Sequence, residues 1–214
     1  MPIPLRLGLF YAALFIVSGV AGPYIGLWFA DHGLSGSRIG VILAAPLLAR
    51  SVTAPALAVW ADGFSRRRTP LILMGAGAAA AYAAFAVSQG FWAWAGLWFV
   101  SQTLFATLGP LTDVITLRRA ARDGFNFGFS RGIGSAAYIV ANVTMGLILT
   151  VATTHAVILW TVVSATAVVL GAWLLLPDDP VHEEGEHRRR REQARGLMGL
   201  LKDPVFMLAV ISVG

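Results

Sequence analysis

The stretch of sequence that decides the fold is residues 7–30, which read LGLFYAALFIVSGVAGPYIGLWFA and contain no charged residue. The hydrocarbon core of a bilayer is about 30 Å thick, and a helix of about 20 apolar residues crosses it. A cleavable signal peptide has a shorter apolar region and a small-residue cleavage site, and residues 7–30 show neither feature. We therefore predict that this segment is a membrane-spanning helix.

Five further apolar stretches follow the first. They cover residues 39–60, 70–88, 92–113, 131–152 and 156–176, and another apolar stretch begins near residue 204. The whole sequence is 57% hydrophobic and only 13% charged, whereas about 25% of the residues of a soluble domain are charged. Backbone groups in lipid must be paired within the segment, and the stretches lack the alternation of barrel strands. The sequence predicts an all-α membrane protein.

The basic residues give the chain an orientation. With the N-terminus in the cytoplasm, most of the 16 lysines and arginines fall in cytoplasmic segments. Those residues are Arg6, Arg66, Arg67, Arg68, Arg118, Arg119, Arg122, Arg188 to Arg191, Arg195 and Lys202. Cytoplasmic loops are enriched in such residues. We expect a multi-pass protein of the cytoplasmic (inner) membrane with a cytoplasmic N-terminus.

Polarity divides the chain into three parts. Residues 1–177 form a six-helix half, residues 178–203 a charged cytoplasmic linker, and residues 204–214 the start of a seventh helix that the sequence cuts off. Mixed charge without apolar periodicity is typical of a solvated linker.

Composition also argues against several kinds of function. The sequence has no cysteine, and its four histidines lack ligand spacing, so we expect no cofactor and no metal site. The pI of about 10.4 would suit a nucleic-acid partner, but the arginines lie in short runs between apolar stretches, so we expect none. No nucleophile–base pair is visible within the apolar stretches, and we do not expect an enzyme.

Polar residues nevertheless recur inside the apolar stretches, where a charge commonly costs about 2.5–3.5 kcal/mol and faces a cavity or a partner. Asp113 near the end of helix 4 and Arg131 near the start of helix 5 should lie at similar depth and could pair. Helical spacing places Arg131, Ser135, Tyr138 and Asn142 on one face of helix 5, and Gln102, Gly109 and Asp113 on one face of helix 4. Tyr11, Phe15 and Ser18 share a face of helix 1, and Arg50 lies near the middle of helix 2.

Each of these residues also has a purely structural interpretation. Asp113 and Arg131 could form a packing salt bridge near the headgroups, and Arg50 could anchor one helix to another. Tyr138 and Asn142 could join helices by hydrogen bonds.

The segment after helix 2 suggests a family. Its sequence, Ala58-Val-Trp-Ala-Asp62-Gly-Phe-Ser-Arg66-Arg-Arg68, resembles the loop motif G-x-x-x-D-R-x-G-R-R-R of the major facilitator superfamily. Ala58, Gly63 and Ser65 depart from the motif. The resemblance implies that Asp62, Arg66, Arg67 and Arg68 form a gating loop that latches the two halves of a transporter on the cytoplasmic side. A cytoplasmic topogenic loop is the alternative.

A second element is more specific. Phe125-Asn-Phe-Gly128-Phe-Ser-Arg131-Gly-Ile-Gly134-Ser135 resembles the F-x-F/Y-G-x-x-R-x-x-G-S/C element of the phenylpropionate permease-like and lactose permease-like branch. That branch has a carboxylate 18 residues before the arginine, and Asp113 holds this position. Gly22 to Trp28 resemble the aromatic and proline-rich end of its first helix.

The resemblance implies the architecture. The chain is expected to be the six-helix N-terminal bundle of a major facilitator fold, built as two inverted three-helix repeats and followed by the start of helix 7. Helices 1 and 4 should lie beside the central cavity, and helices 3 and 6 should be outermost. The C-terminal six-helix half, which holds the rest of the site in such transporters, is not part of this chain.

The expected function is secondary active transport of a small organic solute, coupled to protons. The expected substrate-binding residues are Asp113, Arg131, Arg50, Tyr138, Ser135, Asn142, Tyr11 and Phe15. Two arginines against one carboxylate favour an anion, and the aromatic residues favour a small aromatic carboxylate. A sugar or nucleoside symporter is one alternative, and a non-transporting half-transporter or membrane interaction protein is another. Because adjacent arginines favour an ionised Asp113, the proton site is expected in the C-terminal half.

Overall fold

The computed structural model describes residues 1–179. The seventh helix predicted at residues 204–214 and the linker from residue 180 onward lie outside the described residues. Six α-helices and no strand occur in the described part. They are α1 (Ile3–Asp31), α2 (Gly36–Asp62), α3 (Arg68–Val87), α4 (Phe91–Asp123), α5 (Phe127–Ile148) and α6 (His155–Leu174). The all-α class and the six predicted helices are confirmed.

Four of these helices, α1, α2, α3 and α6, are long and apolar enough to cross a membrane. The other two fall short of that composition because they carry the polar residues predicted to face a cavity. Gln102 and Asp113 lie on α4, and Arg131 lies on α5. Polar groups inside a bundle of apolar helices are expected where a cavity or a charged partner receives them.

The largest difference from the predicted spans is at the C-terminal end of α4. The apolar stretch ends at Asp113, but the helix continues for ten more residues to Asp123. It stops at Gly124, whose φ of 72° is in the left-handed region that glycine tolerates, and the Gly124 N–H bonds to Ala120 O at 3.0 Å. Helix α5 then starts early because the Asn126 side chain accepts a bond from Gly128 N at 2.7 Å. Apolar length therefore underestimated α4, whereas α5 keeps its predicted length and is shifted four residues toward the N-terminus.

Helix packing shows the internal repeat. Helix α1 packs along α5 and α6, and α4 packs along α2 and α3. Exchanging the first three helices for the last three converts each of these pairs into another of them, and it maps the α3–α6 contact onto itself. Such a pattern is the signature of two three-helix repeats with inverted topology, which the sequence predicted through its family resemblance.

Helices α1 and α5 approach each other closely at two glycines. A Cβ on Gly19 would lie 2.7 Å from the Tyr138 backbone oxygen, and a Cβ on Gly134 would lie 2.9 Å from the Tyr11 Cβ. Only glycine fits at such distances. Small residues at a helix interface let two backbones pack without a hydrophobic driving force, as membrane helices require.

A proline breaks the hydrogen-bond ladder of α1 beside this contact. Pro23 has no N–H, so the carbonyl of Gly19 lacks its usual donor. The side-chain amide of Asn142 in α5 donates to Gly19 O at 3.0 Å, and the Tyr24 hydroxyl donates to Asn142 O at 2.8 Å. Asn142 therefore satisfies the broken turn of α1, which is the interhelical role that the sequence left open.

Candidate functional site

A cavity of about 360 Å³ lies between α1, α2, α4 and α5. Its walls are Leu14, Phe15, Ser18, Arg50, Gln102, Phe105, Ala106, Gly109, Pro110, Asp113 and Arg131. Within residues 1–179, α3 and α6 contribute nothing to these walls. The arrangement agrees with the expectation that helices 1 and 4 border the cavity and helices 3 and 6 lie outside it.

A second cavity of about 300 Å³ adjoins the first. The two share Arg50, Gln102 and Ala106, so these residues stand at the junction. The remaining walls of the second cavity are Gly22, Leu43, Pro46, Leu47 and Trp98. These walls are apolar, whereas the first cavity holds Asp113 and Arg131. The combined space therefore has a charged end and an apolar end.

Asp113 joins three helices at the charged end. The Tyr11 hydroxyl of α1 donates to Asp113 Oδ1 at 2.5 Å. Arg131 Nε of α5 lies 3.6 Å from the same oxygen. The side chains of Asp113 and Arg131 are 34% and 38% exposed, so the pair faces open space rather than a closed core. The two residues predicted to pair are thus brought together.

The guanidinium of Arg131 is held mainly by aromatic rings. Its Cζ lies 4.4 Å from the centroid of Phe15 and 5.3 Å from that of Tyr11. Such cation–π contacts position a guanidinium without occupying its N–H groups. Arg131 Nη1 is buried and has no hydrogen-bond partner among the described residues. The side chain is fixed in place but keeps unused donor capacity.

Arg50 stands in a different environment. It lies on α2 at the junction of the two cavities, and within residues 1–179 no hydrogen bond or ion pair satisfies it. With Arg131, it gives the cavity walls one more cation than Asp113 balances. Arg50 is exposed among residues 1–179, and because a charge in the membrane without a partner is costly, a bound anion would stabilise it.

Four predicted residues lie outside these walls, and one of them, Tyr11, is fully buried beside Asp113. The Tyr138 ring contacts Phe15 edge-on, with 6.4 Å between centroids, and so supports the ring beneath Arg131. The Ser135 hydroxyl is exposed and bonds its own helix at Arg131 O, at 3.4 Å. Asn142 is engaged by α1, as described above. Helical periodicity placed these residues on one face but could not distinguish the cavity wall from the helix contact beside it.

Comparison with known proteins agrees with this architecture. The model of the MFS_1 like family matches residues 5–213. The chain belongs to the MFS_1 like family. Maltose permease of Geobacillus stearothermophilus is 26% identical to it over 140 residues, or 64% of this chain and 35% of that protein. The chain therefore matches about a third of the length of this relative. The predicted major facilitator membership is confirmed, and the narrower branch stays a prediction.

In this MFS_1 like protein the loop between α2 and α3 is shorter than the sequence motif, because both ends of the motif lie in helices. Ala58 to Asp62 form the last turn of α2, and Arg68 begins α3. Arg66 Nη1 lies 2.5 Å and Arg68 Nη2 3.0 Å from Asp178 Oδ2, just beyond the end of α6. The gating role that the family resemblance assigns to Asp62, Arg66, Arg67 and Arg68 stays a prediction. The contacts of Arg66 and Arg68 described here are to Asp178, which follows α6 in the same six-helix half.

Asp179 ties the same loop to α4. Arg119 donates to both Asp179 carboxylate oxygens, and the Arg67 backbone N–H donates to Asp179 O at 3.0 Å. The hydrogen bonds that Arg119 donates to Asp179 raise the pKa of Arg119, and the bond that Arg122 donates to Asp123 lowers the pKa of Asp123. The sequence predicts that Asp178 and Asp179 belong to the solvated linker. In the structure their carboxylates form ion pairs with arginines of the α2–α3 loop, of the start of α3 and of α4.

Several wall residues were not among the predicted binding residues. Gln102 shared the polar face of α4 and could have been chosen on that ground. Ala106 and Pro110 carry no chemical signal in their side chains, and only the position of the proline inside a helix marks them. Among residues 1–179 no group of histidine, cysteine and carboxylate side chains is arranged to hold a metal.

Proposed function

We propose that this chain is the first half of a secondary active transporter that moves a small organic solute across the cytoplasmic membrane. The observation that carries the proposal is the charged cavity between α1, α2, α4 and α5 of an apolar helical bundle in a member of the MFS_1 like family. A protein that only packed its helices would gain nothing from leaving Arg50 without a partner.

We further propose that the solute is a small carboxylate with an apolar, aromatic body. A guanidinium offers two parallel N–H donors that match a carboxylate. Arg50 stands where the charged cavity meets the apolar one, so a carboxylate bound there could extend its ring toward Trp98. The shape and charge of the walls support an amphipathic anion better than a uniformly polar solute.

A sugar is the second candidate, because two observations favour it. The matched relative is named a maltose permease. In addition, Asp113 accepts a bond from Tyr11 and could accept others from sugar hydroxyls. Under this alternative Arg50 would bind hydroxyl oxygens, and its charge would have no counterpart in the solute.

The orientation and coupling complete the proposal. The arginines of the α2–α3 loop and of the end of α4 support a cytoplasmic location for those segments and for the N-terminus. The loop of Asp62, Arg66, Arg67 and Arg68 would act in gating rather than in binding. Asp113 is engaged by Tyr11 and Arg131, so the proton carrier is expected elsewhere in the complete transporter.

An uptake experiment tests the proposal. Full-length protein in proteoliposomes is given radiolabelled phenylacetate, 3-phenylpropionate, maltose or uridine, with and without an inward proton gradient. Protein-free liposomes correct for passive entry of the acids. We expect protein-dependent uptake of the two acids that rises severalfold with the gradient. Uptake of maltose or uridine alone would reject the carboxylate, and uptake of none of the four would favour a non-transporting protein.

A further inference from the structure

The wall shared by the two cavities includes a break in the hydrogen-bond ladder of α4. Pro110 lies inside this helix and has no N–H. The carbonyl four residues earlier, that of Ala106, therefore lacks the donor that every regular turn supplies. Ala106 and Pro110 both line the charged cavity, and Ala106 also lines the apolar one. The break thus lies at the cavity wall.

The comparable break in α1 shows how this protein treats such a carbonyl. Pro23 frees Gly19 O, and the Asn142 amide of α5 takes the donor position at 3.0 Å. No such substitute exists at α4. Among the hydrogen bonds of residues 1–179, the threonine hydroxyls of α4 bond Thr103 O, Leu108 O and Thr112 O, and no side chain donates to Ala106 O. Ala106 is half-buried, and a carbonyl that lacks its helical donor keeps acceptor capacity for another partner.

Two side chains beside Ala106 make the position suitable for a ligand. Arg50 and Gln102 line both cavities with it, and neither is engaged by another group within the described residues. A cation, an amide and the residue whose carbonyl Pro110 frees therefore border the same space. Arg50 can donate only, whereas the Ala106 carbonyl can accept only. A ligand that satisfies both must carry an acceptor and a donor.

We propose that the Ala106 carbonyl, freed by Pro110, is a ligand-binding acceptor, and that the solute is a carboxylate that also carries a hydroxyl or N–H donor. The inference rests on the proposed function and narrows its substrate class from simple to donor-bearing carboxylates. Such a ligand combines a hydroxyl, as in a sugar, with the negative charge of an acid. A site that hydrogen-bonds a ligand hydroxyl discriminates against the analogue that lacks it, because its polar group is then left unpaired.

Two matched pairs of acids test the inference. Mandelate differs from phenylacetate, and 3-phenyllactate from 3-phenylpropionate, by a single hydroxyl. The inhibition constants of all four acids against uptake of radiolabelled 3-phenylpropionate are measured. The full-length proteins compared are the wild type, Pro110→Ala and Pro55→Ala. Alanine at 110 restores an N–H that can satisfy Ala106 O within the helix. Pro55 is an exposed proline inside α2 that lines neither cavity, so its replacement is the matched control.

We expect wild-type protein to prefer at least one hydroxylated acid by about tenfold, the worth of one good hydrogen bond. Pro110→Ala should abolish that preference, because the hydroxylated acid loses more affinity than its partner, and Pro55→Ala should keep it. A merely structural role of Pro110 would weaken both members of a pair equally and would overturn the inference.

The wild-type comparison needs no variant, so the inference stays testable if Pro110→Ala does not fold. Equal affinity for both members of each pair in wild type would reject the acceptor and leave the proposed carboxylate transport intact. Failure of all four acids to compete would reject the proposed carboxylate transport and this inference together.

Discussion

Replacing Asp113 with asparagine is expected to lower the thermal stability of the protein, although the new side chain has the same shape. Asparagine can still accept the hydrogen bond that Tyr11 donates to Asp113 at 2.5 Å. It cannot balance the charge of Arg131, whose Nε lies 3.6 Å away. Breaking a fully buried ion pair costs about 3–5 kcal/mol. Because about a third of each side chain is exposed, we expect about 1–2 kcal/mol.

The double variant Asp113→Asn with Arg131→Gln isolates the charge effect. Removing both charges should recover most of the stability lost by Asp113→Asn, because no uncompensated cation remains. Tyr11→Phe is the matched control, since it removes the hydrogen bond and keeps both charges. Unfolding midpoints in detergent provide the measurement. If the double variant were as unstable as the sum of the single ones, the two charges would not be coupled.

Replacing Arg50 with glutamine is expected to reduce carboxylate uptake at low substrate concentration by about 100-fold. A charge-assisted, bidentate contact contributes about 1.5–3 kcal/mol, and each 1.4 kcal/mol corresponds to a factor of ten. Glutamine keeps one donor but neither the charge nor the second parallel N–H. Because Arg50 forms no ion pair within residues 1–179, its loss should leave the unfolding midpoint nearly unchanged.

Arg38→Gln is the matched control for this prediction. Arg38 lies near the start of α2, where its guanidinium is 5.7 Å from the centroid of the Phe91 ring, and it lines neither cavity. Uptake should be nearly unaffected in this variant. An Arg50→Gln protein that takes up 3-phenylpropionate at the wild-type rate and affinity would show that Arg50 is a structural residue.

The pairing of Asp113 with Arg131 could be predicted from the sequence because it follows from depth. Two consecutive helices that run in opposite directions bring residues near their joined ends to the same depth. Opposite charges at the same depth in lipid attract each other and form a pair. The position of Arg50 at a cavity could also be predicted. An isolated arginine in an apolar stretch costs free energy in lipid and therefore usually faces a cavity or a partner. These inferences needed only hydropathy and helical rise.

The roles of Asn142 and Ala106 could not be predicted in the same way. Periodicity gave Asn142 and Arg131 the same face of α5, but it cannot show that Pro23 frees a carbonyl on α1 opposite Asn142. Likewise, nothing in the side chain of Ala106 marks it as polar. Both roles depend on backbone groups, which hydropathy does not register, and on which helices lie next to each other.

Asp178 and Asp179 show a third limit. Local composition places them in a charged linker, and their partners Arg66, Arg68 and Arg119 lie about 60 or more residues away in sequence. The ion pairs exist because the ends of α2, α4 and α6 meet at one end of the bundle. That meeting is a property of the repeat packing rather than of any segment.

The most direct test of the central claim, that the joined cavities hold the solute, is substrate protection of a cysteine at Ala106. The 214 residues contain no cysteine, so Ala106→Cys would carry the only reactive thiol in this chain. Maleimide labelling of Ala106→Cys in proteoliposomes is compared with labelling of Ser65→Cys in the exposed α2–α3 loop. Saturating 3-phenyllactate should slow the labelling at residue 106 at least severalfold and leave that at residue 65 unchanged. Equal labelling at residue 106 with and without an acid that the same protein transports would contradict the claim.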